Sequence, residues 1–171
     1  MKAIDDALRQ IVGLPLSLSR RGTTMRIFHF GAITSEGTRA YGEFALHLQC
    51  PWRIEGPEGL VTGSRDVFEP PDSRVSSADP DWNYDSGNLQ DVLVAKWLGT
   101  TPGKVGFARS AVVPPLIVEA VSSDRFLGLK IALSGGHRLS VFPDGTAGEA
   151  WRFFRPCVPE EPLVIDGGSV L

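Results

Sequence analysis

The sequence predicts an α+β fold that is mainly β: about eight short, mostly antiparallel strands in a curved sheet or split barrel, with two helices packed on it. Three observations carry this. Several runs alternate apolar and polar residues with period two. The chain holds 19 glycines and 13 prolines, a composition that favours turns and short strands over long helices. Only two stretches space their apolar residues as a helix does. With 171 residues, 42% hydrophobic and 22% charged, the chain is expected to form one domain over residues 1–171 and to bury a core without covalent staples.

The first helix is expected near the N-terminus, where Ile4, Ala7, Leu8, Ile11 and Val12 share a face and Gly13 and Pro15 follow. Asp5 and Asp6 lie in its first turn, where the helix dipole favours anions. Residues 17–22, polar and carrying Arg20 and Arg21, read as a solvated loop. Residues 24–30 are β-prone, with Arg26 the odd member of a face shared with Phe28 and Phe30. Residues 35–37 read as a turn. Residues 42–50 alternate strongly, with Phe44, Leu46, Leu48 and Cys50 inward. Strand character continues through Trp52, Arg53 and Ile54, with a bend or bulge at Pro51, which lacks a donor for the ladder. Residues 60–62 return as a short strand.

From 63 to 87 periodicity disappears among Pro, Asp, Ser and Asn. A segment of this length inside a compact domain is uncommon and often functional, and its Trp82 and Tyr84 argue for a partly ordered flap. Asp85 or Ser86 then caps a second helix with an apolar stripe of Leu89, Val92, Leu93 and Trp97, stopped by Gly99. Strands are expected over 107–113 and, more centrally, over 116–121.

The clearest hairpin comes next. Leu129, Ile131 and Leu133 alternate with Lys130 and Ala132; Ser134-Gly135-Gly136 turns the chain; Leu139 and Val141 continue the pattern. Pro143-Asp144-Gly145 makes a further turn, and 149–155 reads as a third strand of the same meander. Residues 162–166 form one more strand, after which Gly167-Gly168 frees the tail. The glycine-turned strand pair, the Phe-Pro-Asp-Gly turn, the Glu149-Ala150-Trp151 strand and the late apolar strand with its Gly-Gly resemble a pattern found in small uncharacterised bacterial proteins, some of them similar to immunity-type partners of toxins. The resemblance spans roughly the last third of the chain, contains no catalytic motif and implies a protein partner.

Composition narrows the function further. A net charge of −3 gives no global attraction to nucleic acid or acidic membranes, so neither is an expected partner. No apolar run approaches a membrane span, and the acids at Asp5 and Asp6 stand where a signal peptide would turn apolar, so a cytoplasmic protein with reduced thiols at Cys50 and Cys157 is expected. His29, His47 and His137 are scattered and no metal-ligand spacing occurs; no cofactor-binding glycine loop or nucleophile elbow is present. No catalytic, metal or cofactor residue is therefore named. The expected binding surface comprises Arg53, Asp66, Trp82, Tyr84, Glu149, Trp151 and Arg152, since Trp, Tyr and Arg dominate interface hot spots. The expected function is a non-enzymatic, immunity-like protein-interaction module. The alternative is a small-molecule binder with a pocket between the flap and the sheet.

Overall fold

The computed structural model describes residues 2–37, 39–72, 81–100 and 113–171. Its described residues form two α-helices, α1 (Lys2–Leu8) and α2 (Leu89–Leu98). They also form thirteen strands: β1 (Pro15–Gly22), β2 (Met25–Phe30), β3 (Thr34–Glu36), β4 (Arg39–Tyr41), β5 (Phe44–Leu48), β6 (Trp52–Gly56), β7 (Gly59–Gly63), β8 (Leu116–Ser123), β9 (Leu129–Leu133), β10 (His137–Val141), β11 (Glu149–Phe154), β12 (Leu163–Asp166) and β13 (Ser169–Val170). The fold is α+β and mainly β, as expected.

Eleven of the strands make one antiparallel sheet in the order β13-β12-β11-β5-β2-β1-β8-β9-β10-β6-β7. The sheet does not close: β13 and β7 are its two edges. Between β1 and β8 the ladder is short, with the pairs Pro15–Ile117 and Leu16–Leu116 extended by backbone hydrogen bonds of Gly13 and Leu14 with Val118, which divides the sheet into a first half ending at β1 and a second half ending at β7. The halves curl so that their inner faces meet. Phe28 of β2 and Trp52 of β6 touch edge to face with ring centres 5.5 Å apart, a geometry that adds to plain area burial. Period-two alternation supplies the core from both halves: Phe28, Phe30, Leu46, Leu48, Trp151 and Phe153 from one, Trp52, Ile54, Ile131, Leu133, Leu139 and Val141 from the other.

Two segments run through both halves side by side. β5 pairs with β11 in the first half, and β6 pairs with β10 in the second. The chain crosses between halves at Cys50 and Pro51 on one segment and through 142–148 on the other, stitched by Phe142 N–H to the Pro51 carbonyl at 2.8 Å. This corrects the expected meander. Residues 149–154 are a strand, but β10 has β9 and β6 as neighbours, and β11 lies in the other half. Burying Trp151 and Phe153 against Leu48 and Leu46 decides the partner.

α1 buries Ile4 and Leu8, followed by Ile11 in a 3₁₀ turn, and packs on β8. Asp5 accepts from the Ser123 N–H and hydroxyl at 2.8 and 2.7 Å, so its carboxylate ties the helix to the end of β8. α2 packs on β1, β7 and the 3₁₀ turn at Ser64–Phe68. Its cap is Asn88, whose side chain accepts from the Asp91 N–H, and Gly99 ends it in the left-handed conformation. The buried face differs from the expected stripe: Gln90, Val94, Ala95, Trp97 and Leu98 are buried, while Leu89, Val92 and Leu93 are half-buried. The cause is polar. Arg26, 3% exposed at the β1–β2 end, donates to Gln90 Oε1 at 3.0 and 2.6 Å and to Asp91 Oδ1 at 2.6 Å. Gln90 Nε2 in turn reaches the carbonyls of Gly63 and Ser64 at the end of β7.

β1 replaces the loop expected over 17–22. Its polar side chains are absorbed locally: Ser19 Oγ donates to the Ile27 carbonyl at 3.0 Å, Arg20 to the Ala40 carbonyl, and Arg21 Nε to Asp91 Oδ2 at 2.9 Å. β3 and β4 form a separate ribbon that corrects the turn expected at 35–37: Ser35 and Glu36 pair with Ala40 and Arg39 as part of β3, and of the three only Gly37 lies in a turn. The tail is held rather than free, because Gly167 and Gly168 turn β12 into β13. Of the strand expected over 107–113, residues 107–112 lie outside the described residues and Val113 is a bend; residues 73–80 of the expected flap also lie outside them.

Candidate interaction surface

The outer face of the second half is built by alternation. On β6, Trp52 and Ile54 point inward, so Arg53 and Glu55 point out. On β10, Leu139 and Val141 point inward, so Arg138 and Ser140 point out. On β9, Lys130 and Ala132 are the outward pair. Register then sets the neighbours. Arg138 lies between Glu55 and Ala132, and Ser140 lies between Arg53 and Lys130.

Glu55 is the centre of this face. Its Oε1 accepts from Arg53 Nε at 2.7 Å, and its Oε2 accepts from Arg138 Nε. The Arg138 and Arg53 guanidinium groups hold the Glu55 carboxyl below the usual carboxylate range. Both arginines stay about half in water, with side chains 51% and 50% exposed. The Arg53 guanidinium lies 5.1 Å from the ring centre of Phe142, itself an exposed aromatic. Beside the arginine pair runs an open groove of about 350 Å³ lined by Arg53, Glu55, Gly56, Gly59 and Leu60. Leu60 is 68% exposed. At position 56 a Cβ would stand 3.1 Å from the His137 ring, which accepts a hydrogen bond from Trp97 Nε1, so a larger residue there requires that ring to shift by a few tenths of an ångström.

The seven residues expected from sequence fall in five places. Arg53 is on this face. Asp66 is a cap, accepting from Thr62 Oγ1 at 2.7 Å and Gly63 N–H at 3.1 Å. Trp82 and Tyr84 lie beside the start of α2. Trp82 donates to the Gly87 carbonyl at 3.0 Å, and the Tyr84 ring meets the exposed Phe68 ring edge to face at 5.8 Å. Glu149 and Arg152 form an ion pair on the outer face of the first half, with Gln49 donating to Glu149 at 2.8 Å. Arg152 holds the Glu149 carboxyl below its usual range. Trp151 is a correction. It is fully buried, and its indole N–H donates to the Leu127 carbonyl at 2.9 Å, so it belongs to the core and not to a surface. Alternation along β11 turns Trp151 inward and Arg152 outward, just as it turns Trp52 inward and Arg53 outward.

The outer face of the first half also holds the histidines His29 and His47. β2 and β5 pair directly, with Ile27 opposite His47 and His29 opposite Ala45, so the two imidazoles are diagonal neighbours. His29 is 4% exposed and accepts from the Gly42 N–H through Nδ1 at 3.3 Å. Burial, then Arg20 and His47, lowers its pKa to about 4. Burial, then Arg152, also lowers that of His47, whose ring contacts Phe154 at 4.9 Å. Among the described residues no group of three or more His, Cys, Asp or Glu side chains gathers in a metal-binding arrangement. No helix among them is long and apolar enough to cross a membrane. The chain matches no protein-family model, no curated protein and no solved structure.

Proposed function

We propose that the chain is a non-enzymatic protein-interaction module whose contact surface is the outer face around Arg53, Glu55, Leu60, Arg138 and Phe142. The observation that carries this reading is an arginine pair held by one carboxylate, with Arg53 over the exposed ring of Phe142 and beside the exposed Leu60. Arginine and aromatic side chains contribute most where they are pre-ordered, because less freedom is lost on binding. The resemblance of the C-terminal third to small uncharacterised bacterial proteins, some of them immunity-like, fits the same reading. A second reading has one observation in its favour: the groove beside Arg53, at about 350 Å³, is of a size that admits a small molecule.

The test is affinity capture from a lysate of the source cells, with tagged wild type run beside an Arg53→Ala/Phe142→Ala variant and an Arg9→Ala control. Proteins and small molecules retained are identified by mass spectrometry. The expected result is one protein held stoichiometrically by wild type and control and lost by the folded double variant. Retention of a small molecule alone supports the second reading. Equal retention by all three chains, or none by any, overturns the first.

A further inference from the structure

We infer that the partner reaches this face with an acidic segment, placing a carboxylate between Arg53 and Arg138 and apolar neighbours on Leu60 and Phe142. The inference rests on the protein-interaction reading and specifies the chemistry of the partner.

Each arginine spends Nε on Glu55, and among the described residues the Nη1 and Nη2 groups of both make no hydrogen bond. A guanidinium held by Nε presents its outer N–H edge in a fixed direction, the geometry that matches a carboxylate with two parallel bonds. Glu55 therefore acts as a clamp that orders both donors before anything binds. It cannot neutralise them. One carboxylate stands against two guanidinium groups, and Lys130 adds a further cation two strands from Arg53, about 10 Å away at normal strand spacing. This local positive excess sits on a chain whose net charge is −3. The outward cross-strand neighbours of the arginines, besides Glu55, are the small residues Ser140, Ala132 and Gly63, with Ser140 itself covered at 2% exposure.

Charge complementarity selects an anion, and the surroundings select a peptide. A nucleic acid or an anionic membrane would meet the acidic remainder of the chain, where repulsion offsets a patch of three cations. An acidic residue within a protein segment meets only the patch. Leu60 and Phe142, both exposed, are then apolar contacts for the residues on either side of it.

The experiment follows the arginine side chains directly. Nitrogen-15-labelled protein is titrated with the blocked peptide acetyl-Leu-Glu-Phe-Glu-Leu-amide, and the Nε–Hε resonances of Arg53 and Arg138 are recorded. The arms are the same peptide with both Glu replaced by Gln, inorganic phosphate, and oligothymidylate. An Arg53→Gln/Arg138→Gln variant with an unchanged melting temperature is the protein control. The expected result is a saturable shift of both resonances, and of the Leu60 and Phe142 backbone amides, by the acidic peptide in the millimolar range, weakened about tenfold or more for the Gln peptide, with the two amide shifts lost in the variant. Resonances that do not move, or that move equally with the Gln peptide or with phosphate, overturn the inference. Tighter binding of the oligonucleotide also overturns it. If the arginines do not respond while affinity capture still retains one protein through this face, the acidic segment is wrong and the interaction reading stands; if capture fails as well, both fall.

Discussion

Arg26 Nη2 stands 2.6 Å from Asp91 Oδ1, and this pair locks the β1–β2 end of the sheet to the first turn of α2. Arg26 is 3% exposed, and Asp91 also takes Arg21 Nε at 2.9 Å, so one carboxylate serves two guanidinium groups. Burial lowers the pKa of Arg26, and the neighbouring Asp91 opposes that shift. Removing the carboxylate strands a buried charge, which costs far more than losing a surface pair. Asp91→Ala is expected to destabilise the fold by about 3–5 kcal/mol, read from urea unfolding. A loss below about 1 kcal/mol would place the pair among ordinary surface bridges and remove its role as the lock.

The same lock shows where sequence reasoning reached its limit. Strands such as 44–48 and 129–133 were legible because one face is buried and the pattern repeats every two residues. β1 was not, because Ser17, Ser19, Arg20 and Arg21 look solvated until their partners on Gly31, Ile27, Ala40 and Asp91 are known. The rotation of α2 was set by Gln90 and Asp91 reaching Arg26, a long-range contact that outweighed the apolar stripe. In the candidate surface, Arg53 was visible from composition. Glu55 and Arg138 were not, because their meeting depends on the pairing of β6 with β10, 83 residues apart. Trp151 was misplaced by weighing its hot-spot chemistry above the alternation of its own strand.

His29 should make stability depend on pH. Folding lowers its pKa from 6.5 to about 4, because the ring is buried and stands near the positive charge of Arg20 and His47. The unfolded chain takes up the proton as pH falls through 6.5, and the folded chain does so only near 4. The stabilisation is thus complete above 6.5 and lost between 6.5 and about 4, on the order of 3 kcal/mol. His47, also lowered, adds in the same direction. Unfolding midpoints measured across this range should fall steeply for wild type and more gently for His29→Gln. Equal slopes would show that the ring titrates freely in the folded state.

Gly42 is a position where no side chain fits. A Cβ there would stand 2.6 Å from the Phe30 carbonyl oxygen and 2.9 Å from the Phe30 nitrogen and His29 Cβ. Backbone cannot retreat as a flexible side chain can, so Gly42→Ala should cost about 1–3 kcal/mol or more. Gly145→Ala, whose Cβ would meet only the Ala147 carbonyl at 3.5 Å, is the matched control and should be near neutral. Thermal melts of the two variants decide it. Similar losses for both would mean that the strand end at Gly42 relaxes to admit a methyl group.

The two cysteines should behave as separate thiols of opposite reactivity. Both are free, Cys50 buried at the crossing between the half-sheets and Cys157 exposed. Burial pushes the Cys50 thiol up to about 12, so almost no thiolate is present near neutral pH, and the thiolate is the reactive form. A disulfide-exchange reagent at mildly alkaline pH should therefore titrate one thiol per chain quickly and the second only on unfolding. The slow rate should rise with denaturant as the crossing at Cys50 and Pro51 opens. Cys157→Ser should abolish the fast phase and leave the slow one. Two fast thiols would mean that the crossing opens readily in the native state, and no thiol at all would mean that the cysteines pair.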